Sequence, residues 1–155
     1  MQLIVLGLNH KTAPVEVREK FNFSRSRIKH VLRLLKESDD FSEAVLLSTC
    51  NRTELYLVAQ EPEDGMEALH NAVKRIAGKA FDKEYFYTLT GVHCVRHLFL
   101  VASSLDSLIV GEGQILSQVK DAYHLARTSG TTSFMFNTIF ISRSEERRVG
   151  KECRS

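Results

Sequence analysis

An α+β fold is predicted by three observations. Short apolar runs rich in branched residues alternate with amphipathic stretches in the order β-α-β-β-α-β. Two of the runs meet at a brief polar break, the mark of a hairpin. Beyond Thr90 the pattern is helical to the end of the periodic region. This order is the split βαβ arrangement of ferredoxin-like domains, here followed by C-terminal helices.

Gln2 to Leu8 reads as a buried strand, and Asn9 to Pro14 as a polar loop. Ser24 is placed to cap a helix whose Ile28, Val31, Leu32 and Leu35 share one face. Ser38, Asp39 and Asp40 end it. Glu43 to Thr49 is a second strand and Glu54 to Ala59 a third. Pro62 opens a helix striped by Met66, Leu69, Val73 and Ile76, and Gly78 closes it. Tyr85 to Leu89 is aromatic and β-prone, a fourth strand. The next helix puts Val95, Leu98, Phe99 and Ala102 on one face. Another runs from about Gln114 to Thr128, with Ile115, Val119, Ala122, Tyr123 and Ala126 aligned. After a break at Ser129 to Thr132, the apolar Phe134, Met135, Ile139 and Phe140 begin a last amphipathic stretch.

A chain of 155 residues supports one domain with a substantial core. The formal charge is +2, and residues 143–154 carry all of it, five cations against three carboxylates. Residues 1–142 are therefore neutral, which excludes a general phosphate-binding surface and leaves room only for a local RNA contact. Cys50, Cys94 and Cys153 show neither metal-ligand spacing nor an even disulfide framework, so a reducing compartment is expected, and with it a cytoplasmic location. The apolar start is short and lacks a basic leader and a small-residue cleavage site, so it reads as a strand and not as a signal peptide. No run approaches the ~20 apolar residues that span a bilayer.

The chemistry points to Cys50. It lies at the polar break, in Ser48-Thr49-Cys50-Asn51-Arg52-Thr53-Glu54, where it is expected at the end of a strand beside a fixed positive charge. A cation stabilises the thiolate, which is the nucleophilic form. On residue type and spacing alone, a core-filling thiol is the more usual role for a free cysteine. If the segment is extended, Arg52 shares the face of Cys50, and a guanidinium can grip a carboxylate bidentately. His97 lies among Val95, Leu98 and Phe99, where a lone imidazole is usually a core or rim residue. His93 is one turn away, but nothing else supports a metal pair.

The segment from Ser48 to Glu54 resembles the active-site signature of glutamyl-tRNA reductases. Two more stretches resemble the same family: Gly7 to Val15 with Arg18 and Glu19, and His97 to Ser107 continuing through Gly111 to Lys120. Three motifs in order, from the first residue to about Phe140, make the resemblance specific. It implies a catalytic domain over residues 1–141. In it Cys50 attacks the ester carbonyl of glutamate carried on its tRNA, releasing the tRNA and leaving a glutamyl thioester. In full-length members NADPH reduces that thioester to glutamate-1-semialdehyde, the first step of five-carbon tetrapyrrole synthesis. The resemblance implies Cys50 and His97 as catalytic residues. It implies Thr49, Asn51, Arg52, Ser107, Glu112, Gly113, Gln114 and Gln118 as substrate-binding residues. Arg52 is expected to hold the glutamate side-chain carboxylate. His97 can deprotonate the thiol or protonate the leaving ribose oxygen. Gln114 and Gln118 share a helix face.

The family continues past Ile141 into a connecting helix, a nicotinamide-binding domain and a dimerisation domain. In this chain the pattern instead breaks into a charged stretch, and residues 142–155 read as a non-native or disordered tail. Gly111-Glu112-Gly113 resembles the start of a dinucleotide fingerprint, but position 116 is Leu, so no NADPH is expected on this chain and none of its residues is a cofactor or metal ligand. Full-length members are homodimers, and an aminomutase takes their product. Two other classes fit the cysteine or the fold: a cysteine-dependent thioesterase or hydrolase, and a ferredoxin-like RNA-binding module. The second lacks the aromatic and basic signature such modules carry on their strands.

Overall fold

The computed structural model describes residues 1–78, 81–103 and 114–140. Four strands form one antiparallel sheet: β1 (Gln2–Asn9), β2 (Phe41–Ser48), β3 (Arg52–Ala59) and β4 (Tyr87–Thr90). Their order is β2-β3-β1-β4, with β1 and β3 central. This is the ferredoxin-like split βαβ topology the sequence predicts. The helices are α1 (Val15–Lys20), α2 (Arg25–Lys36), α3 (Pro62–Ala77), α4 (Gly91–Ala102) and α5 (Gln114–Thr128), and residues 134–140 are again helical.

Local chemistry sets the boundaries. The Ser24 side chain accepts from the Arg27 amide and starts α2. Gly78 ends α3 with φ of 59°, a conformation that suits glycine. Several boundaries differ from expectation: β2 begins at Phe41 and not Glu43, and β3 at Arg52 and not Glu54. A six-residue helix, α1, follows Pro14, too short to leave a periodic signature. β4 begins at Tyr87 and not Tyr85, because the Asp82 side chain accepts from the Glu84 amide and winds Lys83–Tyr85 into a 3₁₀ turn.

β3 is buried along its whole length. The core runs through both faces of the central strands. Leu6, Leu46 and Leu55 meet Val31 and Val73 from α2 and α3. On the other face Cys94, Leu98 and Val101 of α4 join Ile115, Val119 and Ala126 of α5. Strands covered on both sides carry no open platform for stacking bases, so among the described residues the sheet lacks what a ferredoxin-like RNA-binding surface requires. The buried face of α4 also corrects the sequence reading. Phe99 is exposed and Val95 only half-buried, while Cys94 and Val101 point inward. The helix is apolar nearly all round, so periodicity alone could not choose the inward face.

The carboxylate of Glu43, in β2, organises the last helical segment. Glu43 is buried and accepts from the amides of Ser133, Met135 and Phe136 at 2.5–3.1 Å. Three free amides of a helix start are satisfied by one side chain of the neighbouring strand. Thr131 completes the join, donating to the Ala44 carbonyl at 2.9 Å.

Candidate active site

The hairpin between β2 and β3 is a tight turn built on Thr49. Its amide donates to the Arg52 carbonyl at 2.8 Å, and its hydroxyl oxygen accepts from the amides of Asn51 and Arg52 at 3.2 and 3.1 Å. A threonine hydroxyl closing its own turn is an ordinary local motif. It projects Cys50 into solvent at the apex. Cys50 and Arg52 therefore do not share a strand face. Residues 49–51 form the turn itself, and Arg52 is already the first residue of β3.

Arg18, from α1, reaches this apex. Its Nη1 donates to the Asn51 Oδ1 at 3.2 Å and to the Cys50 carbonyl at 3.4 Å. The guanidinium thus ties the Cys50 turn to the segment after β1. Ser48 fixes the same end of the sheet to the start of α2, accepting from the Phe23 amide at 2.9 Å and donating to the Phe21 carbonyl at 3.1 Å.

A second cluster lies below the turn. Arg52, Glu54 and Tyr56 alternate along β3, so their side chains share one face of the sheet. Arg52 is 2 % exposed and Glu54 fully buried, and they pair at 3.3 Å. Glu54 also accepts from the Tyr56 hydroxyl at 3.2 Å and the Tyr87 hydroxyl at 2.5 Å. His97, from α4, hydrogen-bonds its Oε2 through Nε2. The Tyr87 ring meets the imidazole edge to face at 5.4 Å. One carboxylate thus gathers an arginine, two tyrosines and a histidine from β3, β4 and α4.

Burial would raise the Glu54 carboxyl. The hydrogen bond and charge of His97, the Arg52 charge and the Tyr87 hydroxyl outweigh it and hold the carboxyl below its ordinary value. Burial, and then the Glu54 charge, push the Tyr56 phenol well up, so it remains a donor. The same two causes raise the thiol of Cys94, a buried core cysteine. Cys50 is exposed, so the two thiols differ in the access that nucleophilic chemistry needs.

The sequence-predicted site residues fall into three groups. Thr49, Cys50, Asn51 and Arg52 come together at the hairpin, and His97 joins Arg52 through Glu54. Gln118 is exposed on α5. Ser107, Glu112 and Gly113 lie outside the described residues, as does the Gln114 side chain. Sequence reasoning gave no role to Arg18, Glu54, Tyr56 or Tyr87. The alternation Arg52-x-Glu54-x-Tyr56 in an apolar strand was a legible sign of a buried polar row. The partnership with Arg18 and Tyr87 depends on tertiary contacts and left no local sign.

No group of three or more potential ligands that could hold a metal is found among the described residues. Nor do those residues fit a dinucleotide. The sheet is antiparallel throughout, and a phosphate-cradling unit needs a strand, a glycine loop and a helix leading to a parallel strand. None of the described helices is long and apolar enough to cross a membrane.

Comparison with known proteins agrees with this geometry. The family description "Glutamyl-tRNAGlu reductase, N-terminal domain" matches residues 6–155. A glutamyl-tRNA reductase of Moorella thermoacetica is 46 % identical over 142 residues, 90 % of this chain and 32 % of the relative. One from Pelotomaculum thermopropionicum is 42 % identical over the whole chain and 35 % of its own length. The solved glutamyl-tRNA reductase of Methanopyrus kandleri superposes with a TM-score of 0.70 at 34 % identity, over 94 % of this chain and 34 % of that one. The chain thus spans about a third of the length of the relatives it matches. With the three motifs, the topology and the family match in agreement, the chain belongs to the glutamyl-tRNA reductase family and corresponds to its N-terminal domain.

Proposed function

We propose that this domain forms the acyl-enzyme of a glutamyl-tRNA reductase. The Cys50 thiolate attacks the ester carbonyl of glutamyl-tRNA. A carbon–sulfur bond forms, the bond to the ribose oxygen breaks, and that oxygen leaves with a proton. The observation that carries the reading is the exposed Cys50 held at the hairpin apex, two residues before the buried Arg52, whose partner Glu54 also bonds His97.

The residues divide the work. Thr49 and Arg18 fix the turn and so present the sulfur. Arg52 recognises the substrate's side-chain carboxylate, supported from behind by Glu54. Glu54 holds His97 by Nε2, leaving Nδ1 as the ring position that can exchange a proton with the reacting groups. Asn51, Ser107, Glu112, Gly113, Gln114 and Gln118 complete substrate binding. An acid such as Glu112 suits the free ammonium of an aminoacyl ester.

Hydride delivery from NADPH, dimerisation and transfer of the semialdehyde to an aminomutase would rest on the parts of the family that this chain does not span. Residues 142–155 carry no part of the site in this reading, although the family match extends through them. The test is mass spectrometry after mixing with glutamyl-tRNA. A glutamyl adduct on the Cys50 peptide, absent from Cys50→Ser, is expected. Free glutamate released without a detectable adduct would favour a hydrolase.

A further inference from the structure

We propose that one flank of α2 is the docking surface for the phosphate backbone of the RNA that carries the acyl group. The inference rests on the acyl-transfer reading of Cys50. The helix reads Arg-Ser-Arg-Ile-Lys-His-Val-Leu-Arg-Leu-Leu-Lys and has no acidic residue. At about 100° per residue, Arg25, Lys29, Arg33 and Lys36 fall within roughly 80° of one another, and they run about 16 Å along the axis. All four are exposed. Among the described residues, none of them has a carboxylate within ion-pair distance.

The row sits on a defined side of the helix. Arg27, outside it, serves the packing against α3. It donates to the Ile76 carbonyl at 3.3 Å and lies 5.1 Å over the Phe23 ring. Within the row, Lys36 reaches toward Gly130, beyond the end of α5 and away from the Arg27 side. The acidic residues that follow α2 lie past its last turn, and Asp40 lines the cleft on the α3 side.

Direction decides the occupant. α2 begins at the catalytic end of the sheet, where the Phe23 amide is bonded to Ser48, two residues before Cys50. The cationic row therefore starts at the end of the sheet that carries the Cys50 turn, on the face opposite Arg52 and His97, and leads away from it. A small acyl donor would have no use for such a row. A polyanion whose acylated end sits at Cys50 would lay its neighbouring phosphates along it. Arginine and lysine side chains at this spacing neutralise phosphates without reading bases, so the row would position the RNA and leave its identity to other contacts. A neutral domain with one such row gives a local RNA contact.

The test combines Lys29→Gln, Arg33→Gln and Lys36→Gln in the whole chain. Glutamine keeps helix propensity, and the positions are exposed. Melting temperature and iodoacetamide alkylation of Cys50 should match the unaltered protein, which shows that fold and site survive. Binding of uncharged tRNA is then measured from low to high salt. The plot of log affinity against log salt should flatten by about three units, one per lost phosphate contact. An unchanged slope overturns the proposal, including the case in which the row serves an acidic protein. Failure of the unaltered chain to form a glutamyl adduct would instead sink the acyl-transfer reading, and the salt slopes would still judge the row.

Discussion

Gly7 faces Glu54 across the β1–β3 pairing, and a methyl group at Gly7 would lie 2.9 Å from the Glu54 Cγ and 2.9 Å from the Tyr87 hydroxyl. The close approach ties the first motif to the segment that carries Cys50 and Glu54. β1 must carry hydrogen in place of a side chain, or the carboxylate cannot stand upright between Arg52, Tyr87 and His97. Gly7→Ala should therefore destabilise the domain by about 1–3 kcal/mol, the range for overpacking a well-filled site. It should also slow acylation of Cys50 by more than the stability loss explains. Denaturant melts and single-turnover acylation on the same protein check both parts, and a variant with wild-type acylation would show that the network is dispensable.

The carboxylate makes stability depend on pH. Glu54 titrates below its ordinary value when folded, so its contribution is present above the unfolded pKa. It is lost as pH falls through the lower, folded pKa. The expected profile is a steep loss of stability below about pH 4.5, the ordinary value for the group. Glu54→Gln should flatten that part of the profile. It should also be destabilised by roughly 3–5 kcal/mol near neutral pH, because the change removes the acidic member of a buried ion pair that also holds His97. Parallel profiles for the two proteins would mean that other carboxylates dominate acid unfolding.

Much of this arrangement could be read from the chain. The Ser24 cap, the Gly78 stop and the hairpin at Thr49 to Asn51 are local, and local chemistry states itself in sequence. The β-α-β-β-α-β order then left few topologies. What failed were inferences about direction. The pairing of Cys50 with Arg52 assumed an extended segment, but the Thr49 hydroxyl folds those residues into a turn. The inward face of α4 was misjudged because Phe99 and Val95 compete with Cys94 and Val101 for the same hydrophobic signal. Arg18, Tyr87 and Gly7 reach the site from elsewhere on the chain, and such meetings are set by packing.

Glu43 offers a test of the join between the sheet and the segment that leads onward. It caps residues 133–136 from β2 and is 3 % exposed. Hydrogen bonds to a charged group contribute about 1.5–3 kcal/mol each, and they do not add fully. Glu43→Ala should therefore lower stability by about 2–4 kcal/mol. Hydrogen exchange of the Ser133, Met135 and Phe136 amides should rise well above that of the β3 amides. Unchanged protection at those three amides would show that the Thr131 contacts hold the segment alone.

The nucleophile is tested most directly by replacement. Cys50→Ser keeps the shape of the turn, since the Cys50 carbonyl and not its thiol accepts from Arg18. Stability should hardly change. Acyl transfer should disappear, because a hydroxyl without a matched base is a far weaker nucleophile than a thiolate. Adduct formation at the wild-type rate would assign the chemistry to another residue.

Specificity should reside in Arg52. Its guanidinium is buried at the foot of the Cys50 turn, and its Nη1 bonds Glu54. A planar guanidinium fork has the geometry to bind a carboxylate bidentately. Arg52→Lys keeps the charge and removes the fork, so it is not a conservative change. Charge-assisted bonds of this kind contribute ~1.5–3 kcal/mol each, which corresponds to roughly one to two orders of magnitude in use of a glutamyl substrate. Discrimination against a glutaminyl substrate should shrink in parallel, because the neutral amide never drew the full benefit of the pairing. The measurement is single-turnover adduct formation on Cys50 with both charged tRNAs, for the wild type and for Arg52→Lys at a temperature where both are folded. A lysine that only loosened the buried pair with Glu54 would slow both substrates equally. Equal slowing would therefore assign Arg52 to holding the site together and remove it from recognition of the glutamate side chain.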